Sequence, residues 1–243
     1  MVAEAESTYA PYGWRAKIAF MLPSSCLVYE QEFAAVAAQH DGVIGIPARL
    51  PVQTTDLAGL TEMNGHIASA AAQLVDADPD VVVYMCTSGS FLDGNVGDAG
   101  IRNRIESLTG KPTTSTSLAV LTALECLDIS SVVLLSPYDH EIAEREVGWL
   151  VANGVSVVDH QHLDIRDNLK RGAFPPEQSL RHALALDWAS ADGIFLSCAN
   201  IPYEEIVDDL GASTGRPVVT SSMATTWHAL DMAGVVTALD RRA

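Results

Sequence analysis

At 243 residues the chain has room for one large domain or two small ones, at roughly 100–200 residues per domain. Apolar residues make up 48% and charged residues 19%, enough to bury a core and too apolar for wholesale disorder. Fourteen Lys and Arg against 31 Asp and Glu give a formal charge of −17, which repels nucleic-acid phosphates and anionic lipid and disfavours both as main partners. A small anion must then be held by local backbone amides and hydroxyls.

No run approaches 18 consecutive apolar residues, so no spanning helix is expected. Residues 1–14 are acidic and polar and lack the basic start and apolar run of a signal peptide; they read as a loose leader on a cytosolic protein. In chain order, Lys17–Leu22 reads as a strand ending at Pro23, and Val43–Ile46 as a second, followed by a polar loop. Residues 57–75 read as one long helix, with Leu60, Met63, Ile67, Ala70, Ala71 and Leu74 at helical spacing. The continuous run Asp80–Cys86 has the character of a buried parallel strand. Val132–Leu135, Val155–Val158, Gly193–Leu196 and Pro217–Val219 repeat that pattern with helical segments between them. Strands alternating with helices predict an α/β fold on mostly parallel sheets.

An internal repeat sharpens this. Asp80–Cys86 aligns with Asp192–Cys198, 112 residues later, with Asp on Asp and Cys on Cys. Gly110-Lys111-Pro112 aligns with Gly215-Arg216-Pro217 at an offset of 105, which also sets Ser117 on Ser222 and Ala119 on Ala224. The expected architecture is two similar lobes, each a mostly parallel sheet of about four strands flanked by helices, related by a pseudo-twofold axis. The expected segments are the leader at 1–14, a first lobe at 15–118, a second at 119–221, and a last helix at 222–243 that returns to the first lobe.

In open parallel sheets ligands sit beyond the carboxyl ends of the strands. Cys86 and Cys198 each close an apolar strand and each precede small polar residues. Such residues let N–H groups and hydroxyls converge on an anion, an environment that lowers a thiol's pKa. Under the twofold the two thiols flank one pocket, a geometry for two-base proton transfer or for addition on one side and protonation on the other. Either cysteine alone reads as core, but the recurrence of both tips the balance toward chemistry. Cys126, within the helical run 118–127, is expected in the core, and Cys26 is expected near the pocket without an assigned role. The four cysteines form no C-x-x-C pair and read as free thiols in a reducing compartment.

The segments Cys86-Thr87-Ser88-Gly89-Ser90 and Ser197-Cys198-Ala199-Asn200-Ile201-Pro202 resemble the two active-site segments of the aspartate/glutamate racemase superfamily, nearest to its maleate cis-trans isomerase and arylmalonate decarboxylase branch. Leu22-Pro23-Ser24-Ser25, Ser136-Pro137-Tyr138 and Gly215–Thr220 with Trp227 agree, and the likeness spans roughly residues 15–235. The resemblance implies a cofactor-independent enzyme acting on a small carboxylate, with Cys86 as nucleophile and Cys198 as acid/base. It implies carboxylate contacts from Thr87, Ser88 and Tyr138, a substrate-contacting Asn168, and further pocket positions at Ser25, Cys26, Ala199 and Asn200. Two departures matter. Cys26 stands where the isomerases tend to carry Asn, and Cys86 stands where the decarboxylases generally carry Gly. Retaining both thiols favours isomerisation or racemisation. A decarboxylase using Cys198 alone and a non-catalytic carboxylate-binding protein are the alternatives, and a homo-oligomer is a common outcome for soluble enzymes.

Other motifs carry less. His160 and His162 share a strand face but have no third ligand in view; Gly94, Gly97 and Gly100 lack a phosphate-loop context; Arg145 and Arg166 read as surface ion pairs.

Overall fold

The β-branched runs become eight strands and the amphipathic runs between them become helices, in a computed structural model that describes residues 10–52, 54–236 and 239. Of the expected leader, residues 1–9 lie outside the described residues; of the expected last segment, residues 237, 238 and 240–243 do.

The first half runs β1 (Ala16–Pro23), α1 (Val28–Ala37), β2 (Val43–Leu50), α2 (Leu57–Asn64), α3 (Ile67–Val75), β3 (Val81–Tyr84), α4 (Thr87–Phe91), α5 (Gly94–Thr109), β4 (Thr113–Ser115) and α6 (Thr116–Cys126). The second runs β5 (Ser131–Ser136), α7 (His140–Ala152), β6 (Ser156–His162), α8 (Asn168–Gly172), α9 (Pro176–Leu184), β7 (Gly193–Leu196), α10 (Val207–Thr214), β8 (Val218–Thr220) and α11 (Ser221–Met232), with single 3₁₀ turns at Trp188–Ser190 and Tyr203–Ile206. The strands form two four-stranded sheets of the same order, β2-β1-β3-β4 and β6-β5-β7-β8, and every pairing is parallel. Strands β3 and β7 are buried along their whole length, as parallel strands covered on both faces must be.

The sequence repeat is a repeat of capping chemistry. Asp80 Oδ2 accepts the Lys17 N–H at 2.8 Å, and Asp192 Oδ2 accepts the Ser130 N–H at 3.1 Å, so each aspartate ties the start of its own strand to the central strand beside it. Gly110 and Gly215 sit at φ +67° and +66° and close α5 and α10, a left-handed position that glycine adopts at no steric cost. Ser115 and Thr220 then start α6 and α11 by accepting the N–H of Leu118 and Met223.

The last helices of the two halves pack on each other across the lobe boundary: α6 touches β4 of its own sheet and β8 of the second, while α11 touches β8 of its own sheet and β1, β3 and β4 of the first. Ala229 and Leu230 of α11 join Ile18, Phe20, Val81 and Val83 in one apolar cluster.

Two expectations are corrected. The helix expected over 57–75 is two helices: Gly65 caps α2, and the chain restarts at Ile67. Asn64-Gly65-His66 is a run of weak helix formers, and the break lets the Tyr84 hydroxyl donate to Asn64 Oδ1. Cys126 is exposed, because the buried face of α6 is made by Thr116, Ala119, Val120, Ala123 and Leu124, and the last residue of the helix falls outside it.

Candidate active site

Beyond the ends of β3 and β7 the two sheets face each other, and Cys86 and Cys198 line one cavity there. Cys86 is the N-cap of α4, with extended backbone at φ −150°; its sulfur accepts the Gly89 N–H at 3.4 Å and stands 3.9 Å from Ser88 Oγ. A Cβ at residue 89 would lie 2.5 Å from the Tyr84 hydroxyl oxygen and 3.1 Å from the sulfur, so a side chain there would force the thiol aside. Cys198 is built differently. Its φ is +115°, a conformation L-residues rarely adopt and one that costs about 1–3 kcal/mol unless the surroundings impose it. Its N–H donates to Ser221 Oγ at 3.0 Å, and its sulfur accepts the Asn200 N–H at 3.4 Å.

Of the other residues singled out from the sequence, Cys26, Thr87, Ser88, Tyr138, Asn168, Ala199 and Asn200 line the same cavity, and Ser25 lines the cleft outside it. Thr87 Oγ1 is buried with no hydrogen-bond partner among the described residues, an orphan that a ligand oxygen can satisfy. Asn200 differs: its Oδ1 accepts the N–H groups of Leu27 and Val28, and its Nδ2 donates to the carbonyls of Asn168 and Ser25, so its amide is engaged in tying the lobes together. Cys26 is 1% exposed, and its sulfur donates to the Ala199 carbonyl at 3.8 Å.

The inner cavity measures about 20 Å³, room for roughly one water. Outside it lies a cleft of about 540 Å³ lined by Ser25, Thr54, Thr55, Asp56, Arg166, Asp167 and Asn168. Thr55 and Asn168 border both spaces. Thr55 Oγ1 donates to the Arg166 carbonyl at 2.9 Å, and Asn168 Nδ2 donates to Ser25 Oγ at 2.8 Å. These two bonds join the loop after β2 to the loop after β6, and the loop after β1 to the start of α8. They lie where the inner cavity meets the outer cleft.

The electrostatics correct the expectation of depressed thiol pKa values. Burial pushes Cys86 up to about 11, against the Gly89 N–H and the Ser88 hydroxyl, which lower it. Burial raises Cys198 too, against the Arg171 charge, the Asn200 N–H and the Tyr138 hydroxyl. Cys26 is pushed to about 12, again by burial. At all three cysteines of the cavity desolvation outweighs the donors, which favours the thiol form.

Sequence reasoning missed two charged side chains here. Arg171 is 2% exposed, lines the cavity, and lies with its Cζ 5.2 Å from the centre of the Tyr138 ring. Its signal was the i, i+3 spacing with Asn168, which puts both on one face of α8 while Leu169 and Lys170 face solvent. Glu146 is fully buried and accepts a short hydrogen bond from Ser197, whose Oγ stands 3.4 Å from the Tyr138 hydroxyl. Burial lifts its carboxyl to about 8, against the hydroxyls of Ser197 and Ser136. Its signal was an acid on the apolar face of α7, in register with Ile142, Trp149 and Leu150. Arg145 and Arg166, by contrast, pair with Glu141 and Asp164 at the surface. Rings of His160 and His162 on β6 are 6.4 Å apart, and among the described residues no three His, Cys, Asp or Glu side chains gather to hold a metal.

A parallel two-sheet fold with paired cysteines at the strand ends has relatives. The arylmalonate decarboxylase (Amdase) family model matches residues 42–242, and the chain belongs to that family. It is 28% identical over 220 residues to the maleate isomerase of Nocardia farcinica, covering 86% of each chain. It is 29% identical over 171 residues to the arylmalonate decarboxylase of Bordetella bronchiseptica, covering 69% of this chain and 71% of that one. Among solved structures, Nocardia farcinica maleate cis-trans isomerase bound to TRIS superposes with a TM-score of 0.88 at 25% identity, covering 93% of this chain and 96% of that one. The Pseudomonas putida maleate isomerase Iso does so at 0.89 and 22%, covering 93% and 96%.

Proposed function

We propose that the chain is a cofactor-independent cis-trans isomerase of a small dicarboxylate of the maleate type, with Cys86 as nucleophile and Cys198 as proton donor and acceptor. The observation that carries the reading is the pair of thiols at equivalent strand ends of the two sheets, lining one cavity. The isomerases among the relatives support it: 28% identity over 86% of both chains to the Nocardia farcinica enzyme, a protein in which a covalently bound succinylcysteine intermediate has been seen.

In the proposed cycle the Cys86 thiol first loses its proton to solvent, and the thiolate forms an S–C bond to one alkene carbon. The π electrons move onto the other carbon and its carboxylate, and the Cys198 thiol delivers the proton there. The former double bond is now single and rotates. Cys198 then takes the proton back, the C–S bond breaks, and the trans diacid leaves with Cys86 restored. Thr87, Ser88 and Tyr138 hold carboxylate oxygens, the orphaned Thr87 hydroxyl being the clearest donor, and Asn168 and Ser25 meet the substrate at the mouth. The four free thiols suit a reducing, cytosolic setting. Among the described residues no helix is long and apolar enough to cross a membrane.

The test is NMR of the purified protein with maleate in deuterated buffer, with phenylmalonate alongside. Fumarate from maleate supports the isomerase. Phenylacetate from phenylmalonate, with maleate untouched, transfers the protein to the decarboxylase reading, in which Cys198 alone protonates an enediolate.

A further inference from the structure

Arg171 is a buried cation without a counter-charge. It is 2% exposed, and none of the ion pairs among the described residues includes it. Its hydrogen bond runs from Nε to the Ile165 carbonyl at 2.6 Å, which fixes the plane of the fork, and its face lies against the Tyr138 ring. Glu146, the buried carboxyl of the same region, forms no ion pair with it, and burial raises that carboxyl to about 8, toward its neutral form. Removing a guanidinium from water without an anion is costly, and a fold keeps such a charge where an anion arrives to pair with it. The cavity that Arg171 lines also holds the two thiols.

We infer that Arg171 receives one carboxylate of the substrate through its terminal N–H groups, and that its charge balances the thiolate and the enediolate formed beside it. The inference rests on the reading of the cavity as a small-carboxylate site, and it adds the one cation among the described residues that line it. A planar fork suits a carboxylate, which it can grip with two parallel N–H bonds. Arg171 already acts on the thiols in this sense: its charge opposes the effect of burial on both. The position also explains how a chain of formal charge −17 accepts an anion at all. Long-range repulsion ends at the mouth, and inside the nearest full charge is positive.

The test uses succinate, the saturated diacid with no double bond to offer a thiol, and succinamide, its neutral counterpart. Iodoacetamide labelling of Cys86 and Cys198 is followed by peptide mass spectrometry in the wild type, R171M and R171K, each diacid or diamide being titrated as a protecting ligand. Succinate should protect the wild type and succinamide should not. R171M should weaken succinate protection roughly ten- to a hundredfold, the loss expected for a charge-assisted pair, and R171K, with charge but no fork, should fall between. Equal protection by succinate and succinamide, or R171M protected as well as the wild type, overturns the inference. If R171M fails to fold, R171K decides, and a wild-type protection constant there overturns it. A purely structural role for Arg171 would lower the melting temperature of R171M without separating the two ligands. If the wild type leaves maleate unchanged yet shows this protection pattern, the isomerase reading falls and the role of Arg171 stands.

Discussion

Cys86 and Cys198 occupy the same place in two copies of one unit, yet they are held in opposite ways. Cys86 begins a helix in relaxed extended backbone, with a glycine N–H on its sulfur and no bulk beside it. Cys198 sits at φ +115°, followed by a turn rather than a helix, with its N–H anchored to Ser221 on α11. Tyr138, Arg171 and the Glu146–Ser197 pair all gather on the Cys198 side. A near-symmetric scaffold therefore carries an asymmetric pair, one thiol at a helix start in relaxed backbone and the other held at positive φ beside Tyr138 and Arg171, and the proposed roles give bond formation to the first and proton transfer to the second.

The strongest way to break this comparison is to remove the sulfurs one at a time. C86S and C198S should each lower maleate turnover by at least about a thousandfold, since each removes a step the other cannot perform. The two should still differ: intact-mass analysis after incubation with maleate should find a one-maleate adduct in C198S and none in C86S. Adducts in both, or in neither, would abolish the division of roles.

Next in size is the pH response of the thiols. With the Cys86 thiol raised to about 11, only its thiolate fraction reacts, so alkylation by iodoacetamide should climb about tenfold per pH unit from pH 7 to 10 without a plateau. A plateau near pH 8 would mean that the donors win over desolvation. S221A should cost turnover about tenfold, because it frees the Cys198 N–H and loosens the one thiol whose direction matters. The equivalent change on the other side, T116A, removes a hydroxyl that reaches only the Tyr84 carbonyl and the Met85 sulfur, and should cost less.

Glu146 sharpens the comparison through stability. Its folded-state pKa, about 8, lies above the ordinary value of 4.5, so between those pH values the folded protein holds a proton that the unfolded chain has released. Stability then falls as pH rises through that window, by at most about 1.4 kcal/mol per pH unit for this one group, and levels off above pH 8. In E146Q this contribution should vanish, read as a flatter dependence of urea midpoints on pH. The smallest stability effect is expected from C198G, in which relief of the positive-φ penalty is offset by the lost buried thiol and the freer unfolded chain; C198A loses the thiol but keeps the penalty, and should be the less stable of the two. C198G less stable than C198A would show that the backbone there is not strained.

The two-lobed fold was legible because its signals are local. Strands β3 and β7 announce themselves by continuous apolar runs, and Asp80, Asp192, Gly110 and Gly215 recur because the same hydrogen bonds and left-handed turns recur. The placement of both cysteines followed from the repeat together with parallel-sheet geometry. Arg171 and Glu146 escaped because charge in a sequence reads as solvent exposure, and only the packing of α8 and α7 reverses that. The raised thiol pKa values escaped for a related reason: the donors are visible in Thr-Ser-Gly, whereas the burial that outweighs them exists only once the chain has folded around the cavity. The break at Gly65 was obscured by helical spacing that continues in phase across it.

The packing of α11 on the first sheet ties the end of the chain to its beginning. Because both lobes lie in one chain, a substitution at either cysteine position appears once, so the surroundings of Cys86 and Cys198 can differ, a freedom denied to identical subunits, in which every substitution appears twice.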